Sequence, residues 1–127
     1  MEIFVGTDIM EVERIKKILE KRPHFLERIF TEKERELLRK KKNPWPHLAG
    51  FFSAKESVSK VLGTGIRGFS WQDIEIIHNE YGKPEVVLKG KAKAIAAEKG
   101  IKEIKLSISH TSDYAVSVAI AVGGENS

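Results

Sequence analysis

The chain has 127 residues, enough for one domain with a core of its own, and 41% of them are hydrophobic. It has no cysteine, which excludes a disulfide framework, a thiolate metal site and a thiol nucleophile and points to a cytoplasmic setting. Lys and Arg number 22 against 18 Asp and Glu, a balance of +4 that favours an anionic partner, and no apolar run is long enough to be a signal peptide or a membrane span.

The opening run from Glu2 to Ile9, EIFVGTDI, is β-rich and predicts a strand that ends near Asp8. Val12, Ile15, Ile18 and Leu19 then recur at helical spacing, with Glu11, Glu13, Arg14, Lys16, Lys17 and Lys21 on the other faces and Pro23 as the stop. Asp8 followed by Glu11 has the form of a capping box, so the ordinary reading of Asp8 is a helix cap. A short apolar and basic piece, His24 to Phe30, precedes a helix opened by Thr31 with Glu34 as its box partner and with Leu37 and Leu38 turned inward. Lys40 to Pro46, KKKNPWP, reads as a loop.

The longest helix is predicted from Leu48 to the Gly63-Thr64-Gly65 stop, with Leu48, Phe51, Phe52, Val58, Val61 and Leu62 as its buried stripe. Glu56 and Lys60 share another face, and Gly63 lies near the same line one turn on. The ordinary account of that pair is a solvated ion pair contributing ~0.3–0.5 kcal/mol. Beyond Gly68 the period changes to two: Asp73 to His78 alternates, Asn79 to Pro84 turns, and Glu85 to Leu88 completes a hairpin. An alanine-rich helix over Lys91–Lys99 ends at Gly100, and Ile104–His110 and Tyr114–Val122 are strands around Thr111-Ser112-Asp113. This order predicts a single α+β domain over residues 1–122, with a mainly antiparallel sheet packed against a long central helix and shorter helices, and a flexible tail over 123–127.

A hard divalent cation such as magnesium is held by one or two carboxylates, with water and phosphate oxygens completing its shell. Asp8 and Glu56 are candidates for such a pair, and His110 and Thr111 sit at a strand end where an imidazole or hydroxyl can meet a phosphate. Taken alone, His110 reads as a hydrogen-bonded turn histidine. Sequence spacing does not bring Asp8, Glu56 and His110 together.

Three stretches carry a resemblance: Val5-Gly6-Thr7-Asp8-Ile9 with Glu11-Val12-Glu13-Arg14-Ile15; Phe52-Ser53-Ala54-Lys55-Glu56-Ser57-Val58-Ser59-Lys60 with Gly63-Thr64-Gly65; and Ser107-Ile108-Ser109-His110-Thr111 before Tyr114-Ala115. In this order, over nearly the whole chain, they resemble the holo-acyl-carrier-protein synthases, the short stand-alone 4′-phosphopantetheinyl transferases. The resemblance implies Mg2+-dependent transfer of the phosphopantetheine arm of coenzyme A to a serine of acyl carrier protein, with release of adenosine 3′,5′-bisphosphate. It makes Asp8 and Glu56 metal ligands and, with Lys60, catalytic residues. Lys60 would stabilise or protonate the leaving phosphate, and either Glu56 or a metal-bound water would take the serine proton. It assigns coenzyme A to Lys60, Gly63, Thr64, Gly65, Lys83, Pro84, His110 and Thr111. The acidic carrier would dock on Arg14, Lys17, Lys21 and Arg28 with Phe25 as apolar anchor. It further implies a homotrimer with sites between subunits, and neither a nucleic-acid nor a membrane partner.

Two positions depart from the family pattern. Phe51 stands where relatives commonly place an arginine, which removes a phosphate contact that Lys41 or Lys42 would have to replace. Ser57 stands where alanine is usual, a change between compact residues. The rival readings are a small basic nucleic-acid-binding module, suggested by Lys40-Lys41-Lys42 and Trp45, and a non-catalytic assembly subunit.

Overall fold

The computed structural model describes residues 1–63 and 68–124. Strand β1 (Glu2–Glu11) pairs antiparallel with β5 (Tyr114–Gly123), and β5 pairs on its other edge with β4 (Ile104–His110), so the last strand is the centre of a three-stranded sheet. Strands β2 (Ile74–His78) and β3 (Pro84–Leu88) form a separate two-stranded antiparallel sheet. The helices are α1 (Val12–Lys21), α2 (Phe25–Ile29), α3 (Glu32–Arg39), α4 (Trp45–Leu62) and α5 (Gly90–Glu98). The α+β architecture and the antiparallel pairing are as expected.

Helix α4 lies on one face of the three-stranded sheet, and the composition of β5 explains how closely. Its inward positions are Ala115, Ser117, Ala119 and Ala121, all buried, while Val116, Val118, Ile120 and Val122 point outward. Small residues facing the helix let the two elements approach; the bulky ones lie on the opposite face because side chains alternate along a strand. The tightest point is on β1. A Cβ placed on Gly6 would sit 2.0 Å from the carbonyl oxygen of Ser57 and 2.9 Å from Cβ of Lys60.

Several boundaries differ from the sequence reading. Strand β1 continues to Glu11, opposite Tyr114, so Asp8 lies within the strand opposite Ser117 and caps nothing. The N-cap of α1 is Glu11 without a side-chain bond, and the first helical N–H, that of Val12, instead donates to the Asp113 carbonyl at 2.8 Å. A neighbouring turn has taken over the task expected of an aspartate. Helix α4 starts at Trp45 rather than Leu48; Pro46 is tolerated in its first turn, where an N–H has no intrahelical partner anyway. Strand β5 reaches Gly123, and the Gly124 N–H donates to the Lys99 carbonyl at 2.5 Å, so these two glycines do not belong to a loose tail. Residues 125–127 lie outside the described part. The Thr31–Glu34 capping box is present, and Gly63 and Gly100 take the positive φ expected of helix ends (82° and 70°).

Because backbone rather than a flexible side chain blocks a Cβ at Gly6, Gly6→Ala should force α4 away from β1. A loss of about 3 kcal/mol or more in urea unfolding is expected; an unchanged midpoint would show that the contact is not tight in solution.

Candidate active site

The approach of β1 to α4 sets Asp8 beside the middle of the helix. Ser53, one turn before Glu56, donates its hydroxyl to the Asp8 carbonyl at 3.1 Å and contacts the Ser117 hydroxyl at 2.8 Å. Ser117 in turn bonds Ser57 at 3.0 Å, and Ser57 donates to the Ala54 carbonyl at 3.1 Å. These three hydroxyls are buried and lash helix to sheet directly beneath the carboxylates. The departure at Ser57 is therefore used structurally: its oxygen accepts a hydrogen bond that alanine cannot.

Asp8 Oδ2 is buried with no hydrogen-bond partner among the described residues, while Oδ1 lies 3.9 Å from the Lys60 ammonium. Lys60 also donates to the Thr7 carbonyl at 2.6 Å, which holds its head at the strand. Burial pushes the Asp8 carboxyl above its usual range, against the opposing effects of the nearby Ser53 hydroxyl, Lys60 and Arg14. Burial also raises Glu56, and the negative charge of Asp8 adds to that rise while Lys60 opposes it. Two half-buried carboxyls that feel each other's charge, one with an unpartnered oxygen, form a donor set suited to a hard cation. Asp8, Glu56 and Lys60 are thus near neighbours, a grouping that spacing alone did not supply and that the family resemblance implied.

A pocket of 440 Å³ opens farther toward the start of α4. Its walls come from three directions: Leu37, Leu38 and Lys41 from α3 and the loop after it, His47, Gly50 and Phe51 from α4, and His78, Pro84, Ile108 and His110 from the strands. Phe51 is buried and stacks on His78, with ring centres 5.6 Å apart, and His47 meets the edge of His110 at 4.9 Å. Burial lowers the pKa of His47 and of His78; Lys41 adds to both shifts, and His110 and His78 add to that of His47. Where an arginine was missed, the molecule places an aromatic platform with a lysine and imidazoles around it. Lys41 lines this pocket; Lys42 is exposed and does not. His47 and His78 went unnoticed in the sequence, where a lone histidine carries no pattern.

The remaining candidates are spread around these two centres. The Thr111 hydroxyl accepts from the N–H groups of Asp113 (3.2 Å) and Tyr114 (3.1 Å), so it builds the β4–β5 turn. Lys83, whose turn is closed on the side chain of Asn79, lines a second pocket of 430 Å³ with Pro84, Lys105, Val118 and Ile120. Gly63 ends α4 near Lys99; Thr64 and Gly65 lie outside the described residues. Arg14, Lys17, Lys21 and Arg28 are exposed, Arg28 sits 6.0 Å from the Phe25 ring, and Arg14 is near enough to act on Asp8.

Residues 4–119 match the 4′-phosphopantetheinyl transferase superfamily. The chain belongs to that family. It is 98% identical over its full length, and over the full length of the relative, to a holo-(acyl-carrier-protein) synthase of Caldanaerobacter subterraneus subsp. tengcongensis. It is 68% identical to one of Thermoanaerobacter sp., covering 98% of this chain and 91% of the relative. Among solved structures, the Neisseria meningitidis enzyme of the same name superposes with a TM-score of 0.86 at 35% identity, covering 94% of this chain and 97% of that one. A Helicobacter pylori holo-(acyl-carrier-protein) synthase in complex with coenzyme A gives 0.81 at 32%, with coverage of 93% and 99%. Family membership makes the chain a phosphopantetheinyl transferase and sets aside both rival readings. No helix among the described residues is long and apolar enough to cross a membrane.

The carboxyl shifts carry a sign. Asp8 and Glu56 bind protons more tightly folded than unfolded, so ionising them costs stability above their raised pKa values, and that cost is relieved as the pH falls through them. At neutral pH without divalent metal, Asp8→Asn should therefore raise the melting temperature by a few degrees. A lower melting temperature in the variant would contradict the electrostatic account of the pair.

Proposed function

We propose that the chain is a holo-acyl-carrier-protein synthase that transfers the 4′-phosphopantetheine arm of coenzyme A to a serine hydroxyl of apo-acyl carrier protein. The observation that carries this reading is the Asp8 carboxyl, with one unpartnered oxygen and the other 3.9 Å from Lys60, close enough to act on Glu56 of the helix that also walls the aromatic and histidine pocket. Phe51 and Glu56 are five positions apart, a rise of about 7.5 Å along the helix, so one extended nucleotide-containing substrate can reach both centres. A relative crystallised with coenzyme A supports the choice of substrate.

In this reading Asp8 and Glu56 would hold Mg2+, which would supply positive charge to neutralise the pyrophosphate. The chain's own residues do the rest. Phe51 and His78 face the adenine end while Lys41, His47 and His110 supply positive or hydrogen-bonding groups for phosphate. The serine oxygen forms a bond to the phosphopantetheine phosphorus as the bond from that phosphorus to the bridging oxygen breaks, and adenosine 3′,5′-bisphosphate leaves with the electron pair. Lys60, held against the Thr7 carbonyl, meets the charge that develops on the leaving phosphate. The serine proton passes to a base at this centre, for which Glu56 is the chain's own candidate. Arg14, beside Asp8, begins a basic strip continued by Lys17, Lys21 and Arg28 for the acidic carrier.

We further read the assembly as a homotrimer with sites between copies. The outer face of the three-stranded sheet supports it: Ile3, Val5, Ile9, Val116, Val118, Ile120 and Val122 are 41–66% exposed on one surface. Monomers rarely leave such a contiguous apolar face in water. The Lys83 pocket opens beside Val118 and Ile120, where a second copy would complete it.

With coenzyme A, magnesium and apo-carrier, mass spectrometry should show one phosphopantetheine added per carrier molecule. Glu56→Ala should cut the rate by about a thousandfold or more, and normal transfer by that variant would overturn the site. Val118→Lys should reduce sedimentation from three chain masses to one and take most of the activity with it; an active monomer would contradict sites shared between copies.

A further inference from the structure

Next to Glu56 in sequence, Lys55 turns into the interior, with no part of its side chain exposed. Its ammonium pairs with Glu34 Oε1 at 2.9 Å and donates to the carbonyls of Trp71, at 3.1 Å, and Ile74. Glu34 is equally buried and accepts the N–H groups of Thr31 and Ile76, each at 2.8 Å. The Thr31 hydroxyl extends the network to Glu75 at 2.5 Å, and Glu75 pairs with Lys89 at 3.0 Å. Burial drives the Lys55 pKa down, and the Glu34 charge opposes that shift. Where only stability matters, an apolar pair of the same size fills such a space as well or better. Directional bonds supply something apolar contacts lack, a defined register between the elements they join.

The elements joined here are the walls of the 440 Å³ pocket. Glu34 lies on α3, which gives Leu37 and Leu38 and leads to Lys41. Lys55 lies on α4, which gives His47, Gly50 and Phe51. Ile74 and Ile76 lie on β2, whose last residue, His78, stacks on Phe51. We propose that Lys55, through Glu34 and the β2 backbone, is a positioning residue that sets the spacing of these walls for the nucleotide end of coenzyme A. This rests on the pocket being the nucleotide site. Lys55 touches no substrate; it acts through Phe51, His78 and Lys41.

The test compares Lys55→Met and Glu34→Gln with Val61→Ala, a cavity variant of a buried α4 residue that lines no part of the pocket. All are assayed well below their melting temperatures for the KM of coenzyme A, the KM of apo-carrier and the Kd of adenosine 3′,5′-bisphosphate. Lys55→Met should weaken both nucleotide constants about tenfold and leave the carrier KM within about twofold, and Glu34→Gln should move them in the same direction. Val61→Ala should lower the melting temperature yet leave both nucleotide constants within about twofold. Should Lys55→Met not fold, Glu34→Gln alone decides. Nucleotide constants unmoved by the folded network variants, or moved equally by Val61→Ala, would reduce the network to a stability element and overturn the proposal. A wild type that performs transfer but whose affinity for adenosine 3′,5′-bisphosphate is indifferent to Phe51→Ala would overturn the pocket assignment instead, and this inference with it.

Discussion

The contact on which the molecule depends is the approach of β1 to α4 at Gly6, where the strand backbone runs against the Ser57 carbonyl with no room for a side chain. That approach is what makes Asp8 and Glu56 neighbours although 48 positions apart in sequence, and it requires small residues on both sides. The alanines of β5 keep the sheet surface low, and Ser53, Ser57 and Ser117 fill the seam with hydroxyls that bond to one another. A seam of this kind gives little apolar burial, so its bonding must be satisfied throughout. The exception among the described residues is Asp8 Oδ2, which is buried without a hydrogen-bond partner.

The same helix organises a second centre with different physics. Around Phe51 the contacts are aromatic and cationic, and the surrounding walls are tied together below by a buried ion pair rather than by packing alone. Charge and desolvation are thus used in two ways along α4. At Asp8 and Glu56 burial works against negative charge that Lys60 and Arg14 offset only in part, whereas at Lys55 a carboxylate partner and two carbonyls meet the charge directly. A cost in stability at the first position and a gain in register at the second are consistent with a protein whose function requires both substrate ends to be held at once.

Periodicity was enough to place α4, the β2–β3 hairpin, α5 and the last two strands, because each has a clean period of 3.6 or 2 with glycine or proline at its limits. The boundaries failed where tertiary contacts override local rules. Asp8 has the spacing of a cap, but strand pairing with Ser117 and Tyr114 carries β1 past it, and the Asp113 carbonyl satisfies the helix instead. Proline at 46 looked like an interruption because its place in the first turn depends on where Trp45 packs. Lys55 looks like an ordinary surface charge in sequence and Glu34 like a capping-box partner alone, and nothing local tells that α3, α4 and β2 enclose them. The candidate site residues were reached through family resemblance; the residues themselves supplied only the chemistry that each could perform.

The account stands most directly on whether one cation binds between Asp8 and Glu56. Anomalous scattering from a crystal soaked with manganese, which accepts the same oxygen ligands as magnesium, should show a single strong peak within about 2.1 Å of Asp8 Oδ2 and of a Glu56 carboxylate oxygen. A crystal that binds manganese elsewhere, or leaves those two carboxylates without a shared peak, would contradict it.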